Sequence, residues 1–390
     1  MQFTLLVVNF FLITIISREY GAETYGEYAS AKSLSVLIGT ATVLSLALVV
    51  TKLLAKNKEN SKLMFSNSYY LIIRNFIAAL IILFPLTFLF QRNFSMTALF
   101  LLGFVFNEMI HVSLAYFQAR GDFVTSSKQI FVRTLLYGIG AWLIVYQGFS
   151  IIALIAFQVF MLFSFFIFAY VSIPKSDKLF ETKPTKPITQ KLQNSGKKMV
   201  LTTFSSALIS ELDIVLLGLF YFGPALGILA WSRRILEIIF QLIAASLDIL
   251  FPELSKINDK NEIQNIRRRL RKVCLLIFII PIIFYFSKDI VGNIIVSLLG
   301  DTFSEVALQT SMILFCLPLM VWSRINIIFS RALGFEINIT KIIIAGSLLS
   351  YFIYFLFHSF NISNPAILSI IVSQIIISFL TSYSFRSFYV

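Results

Sequence analysis

The feature that most limits what this chain can become is its succession of long apolar runs separated by short polar loops. A helix needs about 20 apolar residues to cross a bilayer, and on that ruler about twelve crossings are expected. They fall at residues 1–17, 27–50, 63–90, 95–117, 130–146 and 149–173, then at 199–220, 225–250, 273–286, 306–330, 339–357 and 365–383. Inside lipid each segment must satisfy its own backbone N–H and C=O groups, so these runs predict helices and not open sheet. The expected fold class is an all-α integral membrane protein with about twelve transmembrane helices.

Composition agrees with that class. The chain is 58% hydrophobic and 13% charged, with 42 Phe and a mean hydropathy of +0.87, outside the range of soluble domains. A net charge of +13 would suggest nucleic acid in a soluble protein. Here the charge collects in short loops, which fits membrane topology and anionic phospholipids instead, so no nucleic-acid partner is expected. Residues 1–17 lack the basic start and the cleavage site of a secretory signal and read as a first span; its abrupt opening suggests a longer natural product.

Lys and Arg are distributed unevenly between alternate loops. One side holds Lys52, Lys56, Lys58, Lys62, Arg120, Lys128, the seven lysines of residues 175–198 and the basic run from Lys256 to Lys272. The other holds chiefly Arg18, Arg92 and Lys288. Positive charge marks the cytoplasmic face, so both termini are expected there.

Residues 174–198, rich in Lys, Thr and Pro, form the longest stretch without an apolar run. It reads as a basic cytoplasmic linker between two six-helix bundles, residues 1–173 and 199–390. Both halves then have the same orientation, as in a parallel repeat. A faint echo supports this: Gly26, Ala29 and Lys32 are spaced like Gly227, Ala230 and Arg233. From residue 257 onward, Ile263, Ile266, Leu270 and Val273 recur at helical spacing among arginines, predicting an amphipathic helix over 257–272 on the membrane surface that leads into the next span. Residues 290–299 are too short to cross and predict an interfacial helix on the outer side.

Charged residues at membrane depth are costly, so they are paired, turned to a wet interior, or functional. Arg74 and Glu108 fall at about the same depth in adjacent spans and could pair, either to lock two helices or to serve function. His111 lies near Glu108 on a similar face and reads as a satisfied polar group. Glu211 and Asp213 should lie level with Arg233 and Arg234, with Glu237 one helical turn further. Arg324 sits deep in its span without a nearby acid in sequence. Lys32, Arg74, Arg233, Arg234 and Arg324 are therefore candidates for binding an anionic substrate, since Arg recognises phosphate through paired hydrogen bonds. Glu108, Glu211, Asp213 and Glu237 are candidates for coupling or charge pairing.

Enzyme signatures are absent from the sequence: there is no metal-ligand cluster, phosphate loop, nucleophile elbow or long extramembrane segment to carry a catalytic face. Cys274 and Cys316 lie in apolar runs and suggest neither a disulfide nor a metal site. No cofactor and no metal are expected.

The stretches Arg18–Ala29, Glu211–Gly218, Gly227–Glu237, Phe251–Ser255 and Leu299–Phe303 together resemble the O-antigen/polysaccharide flippases of the Wzx type. These belong to the polysaccharide transporter family of the multidrug/oligosaccharidyl-lipid/polysaccharide exporter superfamily. The resemblance extends over essentially the whole chain. It implies two pseudo-symmetric six-helix bundles around a cationic central cavity and alternating access. The implied cargo is an undecaprenyl-pyrophosphate-linked oligosaccharide carried from the cytoplasmic to the outer leaflet of the bacterial inner membrane, with Na⁺ or H⁺ as the coupling ion. The implied partners are this lipid-linked oligosaccharide, a polysaccharide polymerase and a chain-length regulator. Two other readings stay open: a cation-coupled multidrug exporter of the same superfamily, which would want an acid-dominated cavity, and a membrane-embedded glycan polymerase or acyltransferase.

Overall fold

The computed structural model of the chain describes residues 2–43, 45–56, 61–89, 93–174, 185–220, 223–248, 254, 260–332, 336–360 and 365–389. Among the described residues all regular structure is helical. The first half holds α1 (Gln2–Val43), α2 (Leu46–Lys56), α3 (Ser61–Leu89), α4 (Phe94–Ala119), α5 (Phe123–Tyr146) and α6 (Ile151–Val171). Then come α7 (Lys186–Phe220), α8 (Pro224–Asp248), α9 (Lys260–Ile277), α10 (Ile279–Phe286) and α11 (Lys288–Leu299). A short 3₁₀ turn leads to α12 (Val306–Ile313), α13 (Leu317–Ala332), α14 (Glu336–Ser359) and α15 (Pro365–Tyr389).

Among the described residues seven segments are long and apolar enough to cross a membrane, and up to nine when each of two bent pairs counts as one span. Runs 1–17 and 27–50 are set apart within α1 and α2 by Gly21 (φ 77°, ψ 173°), whose non-helical backbone breaks α1 into two helical segments. That backbone conformation is open to glycine and strained for other residues. Runs 199–220 and 225–250 lie in α7 and α8, whose acids and arginines lower their apolarity.

Prolines place two of the breaks. A helical proline offers no N–H and crowds the carbonyl four residues earlier. Pro281 does this to Ile277, and α9 gives way to α10 there. Pro318 does it to Leu314, where a 3₁₀ turn, Leu314–Cys316, joins α12 to α13. The expected short helix at 290–299 is α11, bent 69° from the preceding segment.

The chain divides into two compact units, Met1–Tyr20 with Glu27–Ala207, and Gly21–Gly26 with Leu208–Val390. In the first, α4 packs against α2, α3, α5 and α6. Its core holds Val50, Phe65, Tyr69, Val112 and Tyr116, with the Tyr69 hydroxyl 2.8 Å from Ser113 Oγ. The basic stretch before run 199–220 is helical from Lys186 onward and docks on this core through fully buried Leu192. Buried Asn67 fixes its start: Oδ1 accepts from the Thr185 N–H at 2.9 Å and from the Thr189 hydroxyl at 2.5 Å.

In the second unit α12 and α13 pack with α8, α9 and α15 around Leu236, Ile313, Leu317, Ile325 and Phe329. This corrects the expectation for residues 257–272. The apolar face of α9 does not rest on the membrane surface: Ile263 is buried, and Ile266 and Leu270 pack on the core. Arg267 also turns inward, donating to Asn326 Oδ1 at 2.9 Å with its guanidinium 5.2 Å from the Trp322 ring centre. Asn326 and Trp322 both donate to Ser382 Oγ, at 3.1 and 2.8 Å, which ties α9, α13 and α15 into one polar network.

Candidate functional site

The first unit holds a half-open cavity of about 260 Å³ built from α1, α4, α5 and α6. Lys32 reaches it from α1 and Arg133 from α5, joined by the amides of Asn9, Asn107 and Gln158 and by Tyr137. Arg133 Nη1 donates to Asn107 Oδ1 at 2.9 Å, which aims the guanidinium along α4. The Tyr137 hydroxyl donates to Gln158 Oε1 at 3.3 Å. Among the described lining residues there is no carboxylate. Two cations ringed by amides and a phenol favour an anion, and a guanidinium in particular favours phosphate oxygens.

Arg133 was overlooked in the sequence because run 130–146 places it at a membrane edge. The helix starts at Phe123, where Asp122 caps it by accepting the Thr125 N–H at 3.0 Å. Arg133 then lies nearly three turns inside, at about 1.5 Å per residue. The legible signal was the Asp122 cap, a residue type suited to a helix start. Hydrogen bonds from the Thr125 hydroxyl and amide hold the exposed Asp122 carboxyl below the usual carboxylate range.

A second cavity, about 410 Å³, lies in the same unit. Glu108, His111 and Gln118 enter it from α4, with Ser45 and Thr51 from the α2 side and Thr203 from α7. Ser45 Oγ and Thr203 Oγ1 stand 2.6 Å apart. The Arg74–Glu108 pair that equal depth allows does not form. Arg74 is exposed, donates to Asn75 Oδ1 at 3.2 Å and sits 6.0 Å from the Tyr70 ring centre. The two side chains leave their helices in different directions, which depth counting along each helix does not reveal.

In the second unit, Arg233 and Arg234 share Glu237. Arg233 Nε lies 4.0 Å from Oε1, and Arg234 Nη1 donates to Oε2 at 3.2 Å. Arg233 is only 1% exposed, whereas Arg234 is 23% exposed. Glu211 is near enough for its charge to act on Glu237. The Asp213 side chain lies outside the described residues. Arg324 lies on α13, partly buried. The structure thus brings Arg233, Arg234, Glu237 and Glu211 together, and sets Lys32 with Arg133.

Comparison with known proteins gives a consistent placement. A family model described as "polysaccharide biosynthesis protein" matches residues 76–308. No curated protein matches the chain in sequence. Among solved structures, the lipid II flippase MurJ in an inward closed conformation aligns with a TM-score of 0.71 at 18% identity, covering 99% of this chain and 86% of that one. An inward-facing multidrug resistance MATE family transporter of the MOP superfamily gives 0.69 at 12% identity, with 96% and 94% covered. A MOP superfamily transporter from Pyrococcus furiosus, described as having a binding pocket of reverse polarity, gives 0.58 at 12%, with 98% and 92% covered. The chain is a multi-pass membrane protein with the fold of these transporters.

Proposed function

The chain belongs to the polysaccharide biosynthesis protein family, and from that premise we propose that it flips undecaprenyl-pyrophosphate-linked oligosaccharide repeat units by alternating access. The direction is from the cytoplasmic to the outer leaflet of the bacterial cytoplasmic membrane, with both termini on the cytoplasmic side, and the protein performs no covalent chemistry. The observation that carries this reading is the cavity holding Lys32 and Arg133 without a carboxylate among its described lining residues. Such a lining attracts a pyrophosphate and repels a cationic drug. The likeness to a lipid II flippase adds support, since the name describes a carrier of a lipid-linked cargo. Anionic phospholipids, a polymerase and a chain-length regulator are the partners this reading brings with it.

The multidrug transporters that share the fold supply the competing reading. Reconstitution in liposomes separates the two. A polyprenyl-pyrophosphate oligosaccharide and a cationic drug are followed in parallel, with and without Na⁺ or H⁺ gradients, for the wild type and for Lys32→Gln with Arg133→Gln. Glycolipid movement lost in the double variant supports the flippase. Drug movement that survives the double variant, without glycolipid movement, replaces it by the exporter.

A further inference from the structure

The two cavities of the first unit are neighbours along two helices. On α1, Val36 lines the first and Thr40 the second; on α4, Asn107 lines the first and Glu108 the second. Phe104 lines both, and its ring rests on Gly39 of α1, where a Cβ would collide with it. A ligand whose charged part sits at Lys32 and Arg133 can therefore place its next group in the second cavity.

The linings differ in kind. The first holds two cations and no carboxylate among its described residues, whereas the second holds Glu108 and no Lys or Arg. Several donors of the second are already committed. The Thr51 hydroxyl donates to Ala47 O at 2.9 Å, Gln118 Nε2 donates to Ser126 Oγ at 3.2 Å, and Ser45 and Thr203 engage each other. They leave acceptors: Gln118 Oε1, the Thr51 oxygen and both oxygens of Glu108, whose carboxyl has no ion pair among the described residues. His111, one turn along α4, adds a ring nitrogen.

An acceptor-rich lining with one aromatic face, around about 410 Å³, suits a ligand that is small, uncharged and rich in O–H donors. A pyranose is such a ligand. A uronic acid is not, because its carboxylate brings only lone pairs against those of Glu108 and leaves both sides unsatisfied. We propose that the second cavity is the subsite for the sugar joined directly to the pyrophosphate, and that Glu108 makes it accept an uncharged pyranose and refuse an acidic one. The inference rests on the anion-cavity reading above and adds which class of sugar follows the anion.

The test uses the purified full chain in detergent and three probes with the same pyrophosphate charge: farnesyl pyrophosphate capped on its far phosphate by a methyl, a glucosyl or a glucuronosyl group. By titration calorimetry the glucosyl probe should bind the wild type about tenfold tighter than the methyl probe, as one or two hydrogen bonds would give. The glucuronosyl probe should bind no tighter than the methyl one. In Glu108→Gln, whose amide can donate to a carboxylate, the glucuronosyl probe should gain about tenfold over the methyl probe. Each readout is a ratio to the methyl probe, so a general loss of anion binding does not move it.

No glucosyl advantage in the wild type, an equal advantage for the glucuronosyl probe, or an unaltered preference in E108Q overturns the proposal. Tetraphenylphosphonium bound by the wild type and lost in E108Q, without any glucosyl advantage, gives the cavity to a cation and overturns it as well. If E108Q does not fold, Gln118→Leu decides: loss of the glucosyl advantage sustains the subsite, and its retention overturns it. If no probe binds the wild type, the anion-cavity reading fails, and saturation-transfer NMR with methyl glucoside and methyl glucuronide settles the sugar subsite separately. Transfer to the glucoside alone sustains it; transfer to both or to neither overturns it.

Discussion

Gly26 and Gly227 pack backbone against backbone within the second unit: a Cβ on Gly26 would lie 2.7 Å from the Gly227 nitrogen. A Cβ on Gly227 would lie 1.8 Å from the Ala22 carbonyl oxygen. Both clashes are with main chain, which no rotamer change relieves. Small residues are favoured where helices meet this closely, because packing in lipid comes from van der Waals contact. Gly227→Val should therefore lower stability by about 1–3 kcal/mol, the usual cost of overpacking. Thermal melting in detergent, followed by size-exclusion chromatography, reads this; a wild-type melting point would exclude the contact.

Lys32 and Arg133 should each matter to anion binding. A hydrogen bond to a charged group is worth about 1.5–3 kcal/mol, so either Gln variant should weaken farnesyl pyrophosphate about tenfold to hundredfold. Arg133→Lys should recover only part of the loss, because the planar fork held by Asn107 is gone. Titration calorimetry on folded protein checks both. Equal affinity in all variants would move the anion elsewhere.

The Arg233–Arg234–Glu237 group is a structural hinge point for any charge-reversal experiment. Arg233 is a sequence candidate for binding an anionic substrate, and reversing its charge with Arg233→Glu would be the direct test of that role. With Arg233 1% exposed and Glu237 4.0 Å away, that variant instead sets two carboxylates together in a buried place. It should fail to accumulate as folded protein. Glu237→Ala should cost about 3–5 kcal/mol by removing the carboxylate beside buried Arg233. Arg234→Gln, at a partly exposed position, should cost about 1 kcal/mol or less. Equal melting of all three would show that the group contributes nothing to stability.

On α9, docking of the apolar face leaves Arg268, Arg269, Arg271 and Lys272 exposed, directly before exposed Val273, Leu275 and Leu276. Exposed cations followed by exposed apolar side chains are the pattern of a helix entering hydrocarbon from the headgroups. Anionic lipid should be held there at about 1 kcal/mol per cation. Replacing all four by Gln should reduce retention of phosphatidylglycerol by the purified protein, measured by native mass spectrometry, while Arg267→Gln should lower stability through Asn326. Undiminished lipid retention would remove this contact.

Asp122 gives a pH-dependent helix start. Its carboxyl is held low by Thr125, so its contribution is present above the unfolded value of about 3.9 and is lost as pH falls through the lower folded value. Hydrogen exchange at the first turn of α5 should accelerate in that acid window. Asp122→Asn should keep the cap and lose the pH response. Identical exchange profiles would assign the protection to something else.

Several features are legible in the sequence. Gly26-x-x-Ala29-x-x-Lys32 and Gly227-x-x-Ala230-x-x-Arg233 read as a weak echo, and the glycines prove to stand at one contact. Glu237 reads as a partner for Arg233 and Arg234 because side chains three and four apart on a helix must be neighbours. For Arg133 the sequence offers only the Asp122 cap as a signal, because a polar first turn makes α5 look shorter than it is. The pairing of Arg74 with Glu108 was misread, because equal depth says nothing about azimuth.

The sequence alone determined that this chain is helical and crosses membranes, since run length and backbone satisfaction in lipid leave little choice. It also determined the local ion pairs, which depend only on helix geometry. Tertiary structure decided everything that depends on which way a helix faces. It turned the apolar stripe of α9 into a core, turned Arg74 away from Glu108, and gathered Lys32 with Arg133 from helices a hundred residues apart. In an apolar span nearly every face is hydrophobic, so periodicity carries little orientation, and only packing against neighbouring helices fixes it.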